Sequence, residues 1–157
     1  MKFKWRNLIF FCLLLLLVGC NDRGAITQQE IDQFINSKNL DHVSIQKLDN
    51  NEYYIFSSPY VYIYRNSSDY VKSTGLIKEG IVIGGLEKGS IGLIINNLQV
   101  LRDAKTYTVL IDGKTREYQY GGEKYLIIKD NRIWNPTAQL KITFLSIENK
   151  KIFETDY

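Results

Sequence analysis

Side chains able to act as nucleophiles, metal ligands or proton carriers are scarce in this 157-residue chain, which has one histidine, His42, and two cysteines, Cys12 and Cys20. A Ser-His-Asp arrangement would have to use His42, in Asp41-His42, and no G-x-S-x-G accompanies it. The residue reads as a solvated loop histidine. A transition-metal site would have His42 as its sole soft ligand. Seventeen carboxylates are present, but none sits in a recognisable motif, and Asp49, Asp69, Asp112, Asp130 and Glu148 fall at expected turns. Asp112-Gly113 and Asp130-Asn131 are only fragments of a calcium loop. Gly75, Gly80, Gly84, Gly85, Gly89 and Gly92 could bring backbone amides to a phosphate, yet no G-x-G occurs, and the Gly84 to Gly89 span continues as Ser90-Ile91 instead of Lys-Ser/Thr. Hairpin turns and bulges account for these glycines better. No metal and no cofactor is expected.

Ser44-Ile45-Gln46-Lys47 spells S-x-x-K, and Lys72-Ser73-Thr74-Gly75 is loosely similar to K-T-G, both known from serine enzymes that react with penicillin. That chemistry needs Ser and Lys one helical turn apart. Val43 to Leu48 reads as a strand, which sends Ser44 and Lys47 to opposite faces.

The amino terminus carries a clearer signal. Lys2, Lys4 and Arg6 precede eleven consecutive apolar residues, Leu8 to Val18, the layout of a secretory signal peptide. A membrane-spanning helix needs about twenty. The run ends in Leu17-Val18-Gly19-Cys20, which resembles the lipobox of bacterial lipoproteins. The resemblance covers residues 1–20 and implies cleavage after Gly19 and diacylglycerol on the Cys20 sulfur. It also implies an extracytoplasmic protein anchored to the bacterial membrane, and Asn21 in place of Asp tilts a two-membrane host toward its outer membrane. Two acyl chains anchor stably where one binds marginally. Cys12 would be discarded with the leader, so the mature chain would have no free thiol. Setting aside Lys2, Lys4 and Arg6 leaves 17 basic residues against 17 acidic, which argues against a nucleic-acid partner.

After the leader, residues 20–26 form a short polar tether, and residues 27–157 are expected to form a single β-rich domain with an N-terminal helix. Thr27-Gln28-Gln29-Glu30 fits a capping box, with Ile31, Phe34 and Ile35 on one face, so a helix is expected from Gln28 to Lys38. From Val43 onward short runs rich in Ile, Val, Tyr and Phe are separated by Asp, Asn, Ser and Gly. Strands are expected at 43–48, 53–57, 60–65, 70–77, 81–84, 90–95, 107–111, 115–120, 125–129, 140–147 and 151–154. Asn96 to Ala104 breaks the pattern and predicts a short connecting helix. Hairpin spacing without regular helices predicts a mainly β fold, an antiparallel β-sandwich, with a closed β-barrel as the alternative.

Tyr60, Tyr62 and Tyr64 alternate with Val61 and Ile63, placing three phenols on one strand face, and Tyr118 and Tyr120 make a shorter row. Tyrosine offers a large rigid surface with a polar tip, so one expectation is an exposed binding face; the other is cross-strand pairing on a half-buried sheet. In a barrel such rings would line a ligand cavity, as in lipocalin-like carriers, although the Gly-x-Trp start of that family is missing and Trp134 lies near the end. The expected function is a non-catalytic, lipid-anchored binding or interaction module of the cell envelope, partnered by the membrane through Cys20 and by an envelope protein or glycan. The alternatives are a carrier of a small apolar ligand and a carboxylate-based hydrolase.

Overall fold

The computed structural model describes residues 25–49, 51–87, 89–133 and 139–156. The leader, Cys20, the tether up to residue 24 and Trp134 lie outside the described residues. Among the described residues two helices and twelve strands follow in the order α1 (Gln28–Ser37), β1 (Ser44–Lys47), β2 (Tyr53–Ser57), β3 (Tyr60–Asn66), β4 (Asp69–Thr74), β5 (Leu76–Lys78), β6 (Ile81–Glu87), β7 (Ser90–Ile95), α2 (Leu98–Asp103), β8 (Ala104–Ile111), β9 (Lys114–Gln119), β10 (Tyr125–Lys129), β11 (Leu140–Ser146) and β12 (Lys151–Asp156). Among the described residues no helix is long and apolar enough to cross a membrane.

Local chemistry accounts for the element ends. The Thr27 hydroxyl accepts from the Glu30 amide at 3.3 Å while the Glu30 carboxylate accepts from the Thr27 amide at 2.8 Å, the reciprocal capping box. Asn97 caps α2 by accepting from the Val100 amide at 3.0 Å. Between β8 and β9, Asp112 and Gly113 take φ of 48° and 73°, both left-handed as a tight hairpin requires. Asn66 holds the β3–β4 turn by accepting from the Ser68 amide at 2.9 Å.

The strands form three antiparallel four-stranded sheets, ordered β1-β2-β3-β4, β10-β7-β6-β5 and β12-β11-β8-β9. These sheets are stacked. Tyr54, Phe56, Val61 and Ile63 of the first sheet pack on Val82 and Ile94 of the second. Ile81, Ile83, Ile91, Leu93 and Ile95 point the other way, into the largest core, against Val109, Ile142 and Phe144 of the third sheet. The second sheet is thus buried on both faces, which is why β6 and β7 read as unbroken apolar runs where β8 alternates. On the outer face of the first sheet, α1 lays Ile31 and Phe34 over Ile55, Tyr62 and Tyr64.

The antiparallel sandwich and both helices agree with the sequence reading, with three sheet layers, and among the described residues no closed barrel forms. One expected strand is divided. The run 70–77 leaves the first sheet at Gly75 and continues as β5 in the second. A Cβ on Gly75 would stand 2.0 Å from Val82 Cγ1, so the crossing depends on glycine. Only part of the glycine cluster serves turns, since a Cβ on Gly92 would meet the Phe56 and Tyr54 rings at 2.9 Å. Its bare backbone lets the first two sheets approach.

Candidate functional site

The tyrosine rows are mostly interior. Tyr62 and Tyr64 are only 2% and 1% exposed, because α1 covers them. Phe34 meets Tyr62 edge-on at 5.7 Å between ring centroids and Tyr64 at 4.7 Å, and the Tyr64 hydroxyl donates to the Glu30 carbonyl at 3.4 Å. This corrects the expectation of an exposed face on β3: an amphipathic helix needs an apolar seat, and this row supplies it. The shorter row is corrected in the same way. Tyr120 is 4% exposed, meets Phe144 edge-on and donates its hydroxyl to the Glu123 carbonyl at 2.8 Å; burial pushes its phenol up to about 12. Tyr118 stacks on Tyr107 at 5.1 Å and donates to Asp130 Oδ2 at 2.8 Å.

Asp130 follows β10 in the second sheet, yet its side chain is completely buried against the third. Arg132 pairs with it through Nη2 at 2.5 Å and also donates to the Lys114 and Val109 carbonyls, while Arg116 reaches Asp130 at 3.2 Å. Hydrogen bonds from Arg132 hold the Asp130 carboxyl well below the usual carboxylate range. Arg116 and Tyr118 of β9 belong to the third sheet, so this is an intersheet clamp.

Tyr60 alone keeps a half-exposed ring on its row, and it opens onto a cleft of about 440 Å³. The cleft lies where the loop after α1 meets the first sheet and one end of the second. Its walls are built by Lys38 to His42, by Ser57, Ser58, Tyr60 and Tyr62, by Lys72 of β4, and by Ile94, Asn96, Lys124 and Tyr125. Across the seam between the sheets, Gln46 Nε2 donates to the Tyr125 carbonyl at 2.9 Å and Lys129 Nζ to the Leu48 carbonyl at 2.7 Å. These contacts fix the far wall.

The near wall is a loop held in shape. Asn39 and His42 have φ of 50° and 51°, a left-handed conformation that Asn and His adopt more readily than most residues. The Leu40 amide donates to the Ile35 carbonyl at 3.1 Å, and the buried Ser57 hydroxyl donates to the Asp41 carbonyl at 2.9 Å. Such outliers persist where the surroundings over-determine them, and they cluster at functional sites.

Three lysines from separate parts of the chain line the cleft, and the ammonium group of each rests on a ring. Lys72 Nζ lies 3.8 Å from the Tyr60 centroid, Lys38 Nζ 4.7 Å from that of Tyr70, and Lys124 Nζ 5.5 Å from that of Tyr125. Among the described residues none of the three comes within ion-pairing distance of a carboxylate, and the only acidic residue of the lining is Asp41. His42 stands in this wall with the lysines. Ser44 is half-buried and Lys47 exposed on β1, the alternation that separates an S-x-x-K pair. Among the described residues no group of three or more His, Cys, Asp or Glu is placed to hold a metal ion. The cleft therefore offers positive charge, amide and hydroxyl groups, and aromatic surface.

The sequence reading found Tyr60 and Tyr62 and missed Lys38, Lys72, Lys124 and Tyr125. Lys72 alone had a local signal, since hairpin register sets it opposite Tyr62. Comparison of the chain with protein-family models, with curated proteins and with solved structures finds no match in any of the three.

Proposed function

We propose that this chain is a lipid-anchored, extracytoplasmic binding module of the bacterial envelope, and that it works through the cleft beside Tyr60. The observation that carries the binding part is the convergence of three carboxylate-free lysines and tyrosine rings on a space of about 440 Å³, within the usual range for small-molecule sites. The lipobox-like Leu17-Val18-Gly19-Cys20 carries the anchoring part. Recognition without turnover suits a lining with one carboxylate, Asp41, where a glycosidase-type mechanism needs two. A carrier of the lipocalin type keeps its ligand inside a closed barrel, and the open sheets here provide no such interior.

Two measurements test the proposal. Cells expressing the wild-type chain and Cys20→Ala are labelled with a radioactive fatty acid; label on wild type alone is expected, and an unlabelled wild type overturns the anchor. The detergent-solubilised full chain is then melted with a panel of neutral and charged small saccharides. A rise in Tm with any member, abolished by Tyr60→Ala in a variant that still melts cooperatively, supports the cleft as the working site.

A further inference from the structure

We propose that the ligand of this cleft is an anionic saccharide, its phosphate or carboxylate held by Lys38, Lys72 and Lys124 and its sugar ring set against Tyr60 and Tyr125. The inference rests on the binding-module reading and adds the chemical class. Charge is the first reason. Apart from the leader the chain balances 17 basic against 17 acidic residues, yet the cleft gathers three lysines against Asp41. The described arginines, by contrast, are all paired: Arg65 with Glu52 and Glu87, Arg132 and Arg116 with Asp130, and Arg102 with Asp103. A local surplus in a chain of balanced charge is what an anion recognises.

The way the lysines are stored is the second reason. An ammonium on a ring face at an exposed site is held weakly and keeps its outer side hydrated. It can turn to an incoming anion at small cost, whereas a lysine in an ion pair would first have to leave a carboxylate. Lys72 lies over Tyr60 and also within 5.9 Å of the Tyr62 ring, so its stem runs along the aromatic wall it shares with the ligand.

The third reason is the rest of the lining. Asn39, Asn96 and Ser58 add short polar side chains, while the half-buried Leu40 adds apolar surface. That mixture suits a polyhydroxylated ring better than a bare inorganic anion or an acyl chain. The cleft lies at the end of α1 opposite to Thr27, so ten helical residues, about 15 Å, separate the two.

The test uses the full chain in neutral detergent, with glucose 6-phosphate, glucuronate, methyl glucoside, inorganic phosphate and phosphatidylglycerol as probes. Either charged sugar is expected to raise Tm, with an affinity that falls at least tenfold when salt is raised and in each of Lys72→Met and Lys124→Met. Methionine keeps the apolar stem, so the ligand-free variants should melt with wild type. Methyl glucoside acting as strongly as the charged sugars would overturn the anionic class and leave the binding module standing. Inorganic phosphate binding as tightly as glucose 6-phosphate would overturn the saccharide. A response to phosphatidylglycerol alone would overturn it in favour of a lipid headgroup, and silence from every probe would overturn this inference and the cleft itself.

Discussion

Asp130 is the one charged side chain that the described residues bury, and its surroundings decide what it contributes. Arg132 donates to both of its carboxylate oxygens, Tyr118 and Arg116 add to them, and Arg132 itself is 16% exposed. Removing one partner of a buried pair leaves the other charged and desolvated, a loss of about 3 kcal/mol. Asp130→Asn should lose about that much in urea unfolding at neutral pH. The sign of the pH effect follows from the lowered carboxyl. Stabilisation is complete above the unfolded-state value of about 3.9 and drains away as pH falls through the folded-state value. The gap between wild type and Asp130→Asn should therefore narrow when unfolding is repeated at about pH 3; a gap of constant size would mean that Asp130 contributes shape and not charge. Tyr118, which a strand row made a candidate for binding, serves this clamp instead.

Among the elements, β7 shows how a glycine can decide the distance between layers. Gly92 faces Tyr54 and Phe56 across the first interface, and the Tyr54 hydroxyl donates to the Gly85 carbonyl at 2.6 Å and shares a hydrogen bond with Ser90 at 2.9 Å. Burial pushes that phenol far up, so Tyr54 stays a neutral donor. A methyl on Gly92 would enter the ring contact at 2.9 Å, and overpacking of this kind costs about 1–3 kcal/mol. Gly92→Ala should lower the urea midpoint with an unchanged m-value. An unaltered midpoint would show that the two sheets can separate freely. The neighbouring glycines are distinguished by the same criterion: Gly75 is a crossing between sheets, whereas Gly80 and Gly89, at φ of 83° and 84°, are turns.

In the whole molecule the layers run α1, first sheet, second sheet, third sheet, and their stability is graded accordingly. The second sheet has no open face over β6 and β7, while β4, β5 and β9 are edge strands with largely exposed side chains. Amide exchange should be slowest at Ile81–Ile83 and Ile91–Ile95 and fastest along β5 and β9, because local opening there exposes little apolar surface. Uniform protection across the three sheets would contradict the layered core. The cleft draws its walls from the loop after α1, from the first sheet and from the second, so it exists only while those layers are assembled.

Much of this was legible in the sequence, for a physical reason. Caps, turns and strands are set by side chains acting on their own backbone a few residues away, as with Thr27 and Glu30, Asn66 and Ser68, or Asp112 and Gly113. Alternation also revealed that Tyr60, Tyr62 and Tyr64 share a face, but it carries no record of what covers that face. Coverage is a contact between distant segments: α1 buries Tyr62 and Tyr64, the clamp takes Tyr118, and Tyr60 keeps a half-exposed ring beside open space. The three lysines lie at 38, 72 and 124 with no motif between them, and only the stacking of helix and sheets brings their charges to one cleft. Local chemistry determined the elements, and the burial of apolar faces between layers decided which side chains remained free to bind.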